Sequence, residues 1–81
     1  MERHHRYRDA ALESIPKQVT AVAAAETDLE LHVARALHWG ATWAEVSAAL
    51  GVTRQSAHQR YRRVRYDPKS GIAWHEPPLP L

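Results

Sequence analysis

The feature that most constrains this chain is a corner, Leu50-Gly51-Val52-Thr53. Helix formers run up to Leu50, and Gly51 suits the left-handed position that ends a helix. Two residues later, Thr53 offers a hydroxyl able to accept from the amides of a new first turn. Upstream, Thr42-Trp43-Ala44-Glu45 fits a capping box. There the Thr42 hydroxyl accepts from the Glu45 amide, and the Glu45 carboxylate reaches back to the Thr42 amide. The spacing predicts a short helix ending at Leu50 and a second from Arg54 to about Arg65, joined by a tight bend.

The two faces of that pair differ sharply. Trp43, Val46 and Leu50 recur at steps of three and four on the first helix, and Val52, Ala57, Tyr61 and Val64 line the other side of the corner. Ala57 is small enough to let the helices approach closely. Arg54, Gln55, His58, Gln59, Arg62 and Arg63 are left facing outward, a surface of hydrogen-bonding groups and positive charge. Net charge is only +2, yet Arg54, Arg60, Arg62, Arg63 and Arg65 fall between Thr53 and Tyr66 with no acidic residue among them. Such a concentration points to a polyanion as partner for this face.

A DNA major groove matches this chemistry. An arginine fork can bind guanine O6 and N7 together, and a glutamine can pair with adenine N6 and N7. The first turns of a recognition helix reach deepest into the groove, which assigns base edges to Arg54, Gln55, His58 and Gln59. Thr42, Thr53, Ser56, Arg62 and Arg63 are expected on phosphates, where exposed helix-terminal amides also contribute. The same fold element can serve as a protein-interaction module or adaptor without touching DNA, and that is the alternative reading.

The stretch from Thr42 to Val64 resembles the helix-turn-helix family of bacterial regulators, through Val46, Leu50, Gly51, Val52, Thr53, Ala57 and Tyr61. Two positions depart from the family pattern. Ser47 stands where alanine is usual and Arg60 where an aliphatic is usual, which bears on the angle between the helices. The string from Gly51 to Arg60 is also similar to small streptomycete nucleoid-associated proteins that bind GATC sites. That resemblance implies a homodimer on many short palindromic sites, in an actinobacterial nucleoid. A regulator of one promoter is the other role within the same class.

Ahead of the corner, Leu12, Ile15, Val19, Val22, Leu29, Val33 and Ala36 follow one another at steps of three and four, with Glu26 in the one polar slot. This is a narrow apolar seam of period near 3.5. The fold class expected is therefore all-α, a long N-terminal helical region at residues 14–40 followed by a helix-turn-helix at 41–66. Pro16 suits a first turn, so the long helix is expected to start around Ser14 to Pro16. Thr27-Asp28 resembles a second N-cap, leaving one helix or two open. Gly40 marks the end. An 81-residue chain has a marginal core, and the seam residues Leu12, Ile15, Val19, Val22, Leu29 and Val33 are expected to form a homodimer contact.

Residues 1–13 read as a mobile basic arm whose Arg3, Arg6 and Arg8 could enter a minor groove. Residues 67–81 read as an extended tail opening with the turn Asp67-Pro68-Lys69-Ser70-Gly71. Tyr66 and Trp74 could pair across that turn as a hairpin, or Trp74 could cover the core; the second is the preferred expectation. Trp39 and Trp43 read as core.

Several classes of function find no footing. Cysteine is absent, removing disulfides, thiolate metal sites and cysteine nucleophiles. Neither His4-His5 nor His32 with His38 has the four-residue spacing that ligates a metal from one helical face. No phosphate loop, paired carboxylates or nucleophile-base set occurs. The expectation is a non-enzyme with no metal, no cofactor, no small-molecule substrate and no membrane span, acting in the bacterial cytoplasm on the nucleoid.

Overall fold

A computed structural model of the chain describes residues 2–80, with side chains from residue 5 onward. Its elements run α1 (Glu2–His38), α2 (Trp43–Leu50), α3 (Arg54–Tyr61), β1 (Val64–Asp67) and β2 (Ile72–His75). The chain is thus mostly helical, with a small two-stranded sheet added at its end.

α1 is one unbroken helix of 37 residues, about 55 Å long at 1.5 Å per residue. This corrects both the mobile arm at residues 1–13 and the start near Pro16. Pro16 lies inside the helix, withholding the amide that would reach the carbonyl four residues back. Strong helix formers on its N-terminal side carry the helix across it. The residues that resemble caps bond backwards instead. The Ser14 hydroxyl donates to the Ala11 carbonyl at 2.6 Å, and that of Thr27 to the Ala23 carbonyl at 3.1 Å. A hydroxyl turned to the preceding turn cannot cap the following one, so no break occurs at Thr27.

α1 ends in a Schellman arrangement. Gly40 sits at φ 98°, the Ala41 amide donates to the Ala36 carbonyl at 2.9 Å and the Gly40 amide to that of Leu37 at 3.1 Å. α2 ends the same way. Gly51 has φ 73°, with Val52 N–H donating to Ser47 O at 3.1 Å and Gly51 N–H to Ala48 O at 3.3 Å. At its start α2 carries the capping box read from the sequence. The Thr42 hydroxyl accepts from the Glu45 amide at 3.1 Å, and Glu45 Oε1 accepts from the Thr42 amide at 3.0 Å. These hydrogen bonds hold the Glu45 carboxyl below its ordinary range.

α3 is shorter than expected. It stops at Tyr61, Arg62 caps it, and Val64 opens a strand instead of a last helical turn. Val64 and Tyr66 alternate with Arg65, a period-two pattern of β-branched and aromatic residues that favours extended chain. β1 and β2 pair antiparallel in the register Val64↔His75, Arg65↔Trp74, Tyr66↔Ala73 and Asp67↔Ile72. The tail is therefore a hairpin for its first half, and Tyr66 faces Ala73 rather than Trp74. At the turn, Asp67 accepts from the Ser70 hydroxyl at 2.8 Å and the Lys69 amide at 3.0 Å. Those two donors draw the Asp67 carboxyl below its usual range.

The core is small. Val33, Ala34, Val46, Tyr61 and Val64 form it, with Leu37, Trp43 and Leu50 among the half-buried residues around it. Three residues expected to face inward stay outside: Trp39 is 71% exposed, and Val52 and Trp74 are each 47%. Val33 belongs to this intramolecular core, which corrects its assignment to a dimer contact. The rest of the seam is bare, with Leu12, Ile15, Val19 and Val22 each more than half exposed and Leu29 close behind. The molecule measures 58 × 30 × 28 Å with a radius of gyration of 18.3 Å, against about 12 Å for a compact chain of this length. Nearly two thirds of α1, the part before Glu26, projects past everything that packs on it.

Candidate nucleic-acid interface

α3 is set by its two neighbours. Thr53 starts it, its hydroxyl accepting from the Ser56 amide at 3.1 Å and donating to the Ser56 hydroxyl at 2.9 Å. Ala57 and Tyr61 are buried at 1% and 3% exposure and fix which way the helix turns. At 100° per residue, Arg54, Gln55, His58, Gln59 and Arg62 then fall within an arc of about 140°. All five are exposed, as is Arg63 just beyond the helix.

The two departures from the family pattern are accommodated locally. Ser47 is buried, and its hydroxyl donates to the Ala44 carbonyl at 2.9 Å, so it serves as a small residue with its polar atom satisfied. Arg60 turns away from the arc. Its guanidinium lies 5.4 Å from the Tyr61 ring centre and 3.9 Å from the Glu26 carboxylate of α1.

Charge is partitioned accordingly. The acids of α1 hold the back of the assembly, Glu26 facing Arg60, and Glu30 taking His75 of β2 at 3.1 Å. Arg65 pairs with Glu76 at 2.6 Å and also donates to the carbonyls of Arg62 and Val64. Among the described residues the ion pairs are those of Arg8, Arg60, Arg65 and His75. Arg54 and Arg62 therefore present free guanidinium groups on the arc, and Arg63 adds another just beyond it. Such a surface attracts anions.

The sequence-derived residues fare differently. Arg54, Gln55, His58, Gln59, Arg62 and Arg63 come together. His58 is partly committed, its ring meeting that of Trp43 edge to face at 5.1 Å, which steers it toward the Arg54 end of the surface. Ser56 and Thr53 are occupied with each other, and Thr42 with Glu45, so their backbone amides and exposed edges are what they can offer an anion. Arg6 and Arg8 lie on exposed turns of α1, Arg8 beside Asp9 at 3.3 Å; the Arg3 side chain lies outside the described residues. An α-helix of 10–12 Å diameter does not enter a minor groove about 6 Å wide, so the extended-arm reading loses its basis.

Sequence reasoning weighed the hairpin but preferred Trp74 covering the core. The hairpin follows α3 directly, and exposed Lys69 stands at its turn. The signal was the Asp67-to-Gly71 turn between two runs of alternating apolar residues. Among the described residues no helix is long and apolar enough to cross a membrane. The chain matches no protein-family model, no curated protein and no solved structure, and a functional reading rests on its own residues.

Proposed function

We propose that the chain is a helix-turn-helix protein that binds double-stranded DNA as a homodimer, with α3 in the major groove. The observation that carries this reading is the exposed arc of Arg54, Gln55, His58, Gln59 and Arg62, whose arginines have no acidic partner while Arg60 and Arg65 beside them do. Arg54, Gln55, His58 and Gln59 read base edges; Arg62, Arg63 and the amides at the start of α3 hold phosphates. The two glycine corners and the capping box support it further, since they brace α3 against α2 without using any residue of the arc. A dimer is supported by the uncovered seam of α1, because exposed apolar stripes of this size mark contact surfaces.

Selection of bound duplexes from a random pool tests the reading, followed by titration of variants at several salt concentrations. Wild type should lose affinity with salt at a log–log slope of about −0.9 per phosphate neutralised. Arg54→Ala should cost about 1–3 kcal/mol and relax one base position, and Arg63→Ala should weaken all sequences alike and reduce the salt slope by about one. An adaptor that contacts only protein would shift no duplex at micromolar concentration and low salt. Binding by both variants equal to wild type would place the interface elsewhere.

A further inference from the structure

The seam of α1 has a symmetry of its own. Counted about Lys17, Leu12 mirrors Val22 and Ile15 mirrors Val19, and the one polar seam position, Glu26, mirrors Arg8. We infer that two copies of this chain pair through the exposed half of α1, antiparallel, with the two-fold axis level with Lys17. The inference rests on the dimeric part of the function proposed above and adds its direction and register.

Three observations carry it. First, Leu12, Ile15, Val19 and Val22 are 54–61% exposed on a stretch of α1 left bare by the rest of the described chain, and their alternating steps of three and four are those of helix pairs. Second, the charges choose the direction. In a parallel pair Glu26 would face the partner's Glu26 inside the seam. In the antiparallel register Glu26 meets the partner's Arg8. Within its own chain Glu26 has only Arg60, at 3.9 Å with both side chains largely exposed, leaving it open to a second cation. Third, the apolar surface continues where the partner would end. Beyond Glu26, Leu29 borders two open concavities, one shared with Val46 and Ala49, the other with Val52 and Ala57, and Leu50 lines both. The register delivers the partner's first turns there, His5 opposite Leu29.

The pairing also sets a distance. α3 lies beside α1 between Glu26 and Val33, on the order of 20 Å along the helix from the axis at Lys17. Two copies of α3 are then separated by about 40 Å along that direction, close to the 34–36 Å between major grooves one turn apart.

Introduced thiols test the register without DNA, since the chain has no cysteine. Leu12→Cys and Val22→Cys on one chain lie about 15 Å apart along α1, too far to join to each other, since disulfides need Cα atoms within about 7 Å. Under mild oxidation the double variant should convert to covalent dimer, and Leu12→Cys alone should not, its own copies lying about 15 Å apart along the axis. Arg8→Glu should weaken the dimer by tenfold or so in sedimentation, and adding Glu26→Arg should restore it. Self-crosslinking of Leu12→Cys would show parallel pairing and overturn the inference. So would a wild-type chain that sediments as a monomer at 100-micromolar order, or a dimer whose double variant does not crosslink. A crosslinked dimer that shifts no duplex would leave the pairing intact and sink the DNA reading; a duplex shift by uncrosslinkable protein would do the reverse.

Discussion

The two halves of α1 carry the same apolar rhythm and meet opposite fates. From Val33 to Leu37 the apolar face is covered by α2, α3 and the hairpin, with Val33 at 5% exposure and Ala34 at 2%. From Leu12 to Val22 the same three-and-four spacing lies bare. Periodicity states which side of a helix is apolar; only the rest of the chain decides what covers it. Here the remaining 43 residues, all after His38, suffice for one half. The other half stays bare, and on that division rest both the marginal core and the reach of the molecule.

Breaking the covered half should have the largest effect. Tyr61→Ala removes the one aromatic side chain buried in the core, at a cost of about 3–5 kcal/mol. In a domain this small that should abolish the cooperative urea transition. Next comes Gly51→Ala. Its added methyl meets nothing within 4 Å, so the effect is conformational: φ of 73° is left-handed, and a side chain there costs about 1–2 kcal/mol. Thermal melts should show that loss. Thr42→Ala should cost about 1 kcal/mol through the lost cap.

The capping box also has a pH signature. The carboxyl of Glu45 is held below its ordinary value of 4.5 by Thr42, so its contribution is present above that value and lost as pH falls through the lowered one. Stability of wild type and Glu45→Gln should therefore differ at neutral pH and converge in acid. The smallest effect sharpens the comparison from the other side. Leu12→Ala should leave stability within about 0.5 kcal/mol at dilutions where chains are separate. It should show itself only as concentration rises, by weakening association, because Leu12 lies on the bare part of α1, outside the core.

What the sequence made legible follows the strength of local chemistry. Gly40, Gly51, Thr42-to-Glu45 and Thr53 each bring a backbone conformation or a hydrogen bond of their own, and each occurs as expected. Ser14 and Thr27 were ambiguous because a hydroxyl can bond forward as a cap or backward to the previous turn, and residue type alone does not choose. Pro16 misled in the same way, since the helix formers around it outweigh one missing donor. Val64 read as the last inward residue of α3, although a β-branched side chain suits the first residue of a strand as well. Only pairing with Ile72 to His75 separates the two, and that contact is distant in sequence. The exposed arc of α3 needed little beyond the helical repeat, because Ala57 and Tyr61 fix the orientation of the helix. What escaped was the fate of each arginine, which depends on Glu26 and Glu76, far along the chain.

The central claim is that the outward arc of α3 is where a duplex sits. Titrating isotopically labelled protein with a selected duplex, and following backbone amide and side-chain resonances, tests it most directly. The account predicts that the largest shifts fall on Arg54, Gln55, His58, Gln59, Arg62 and Arg63, with Leu12 to Val22 unmoved. Shifts concentrated on α1 or confined to Pro77 through Pro80, with α3 silent at saturating duplex, would contradict it.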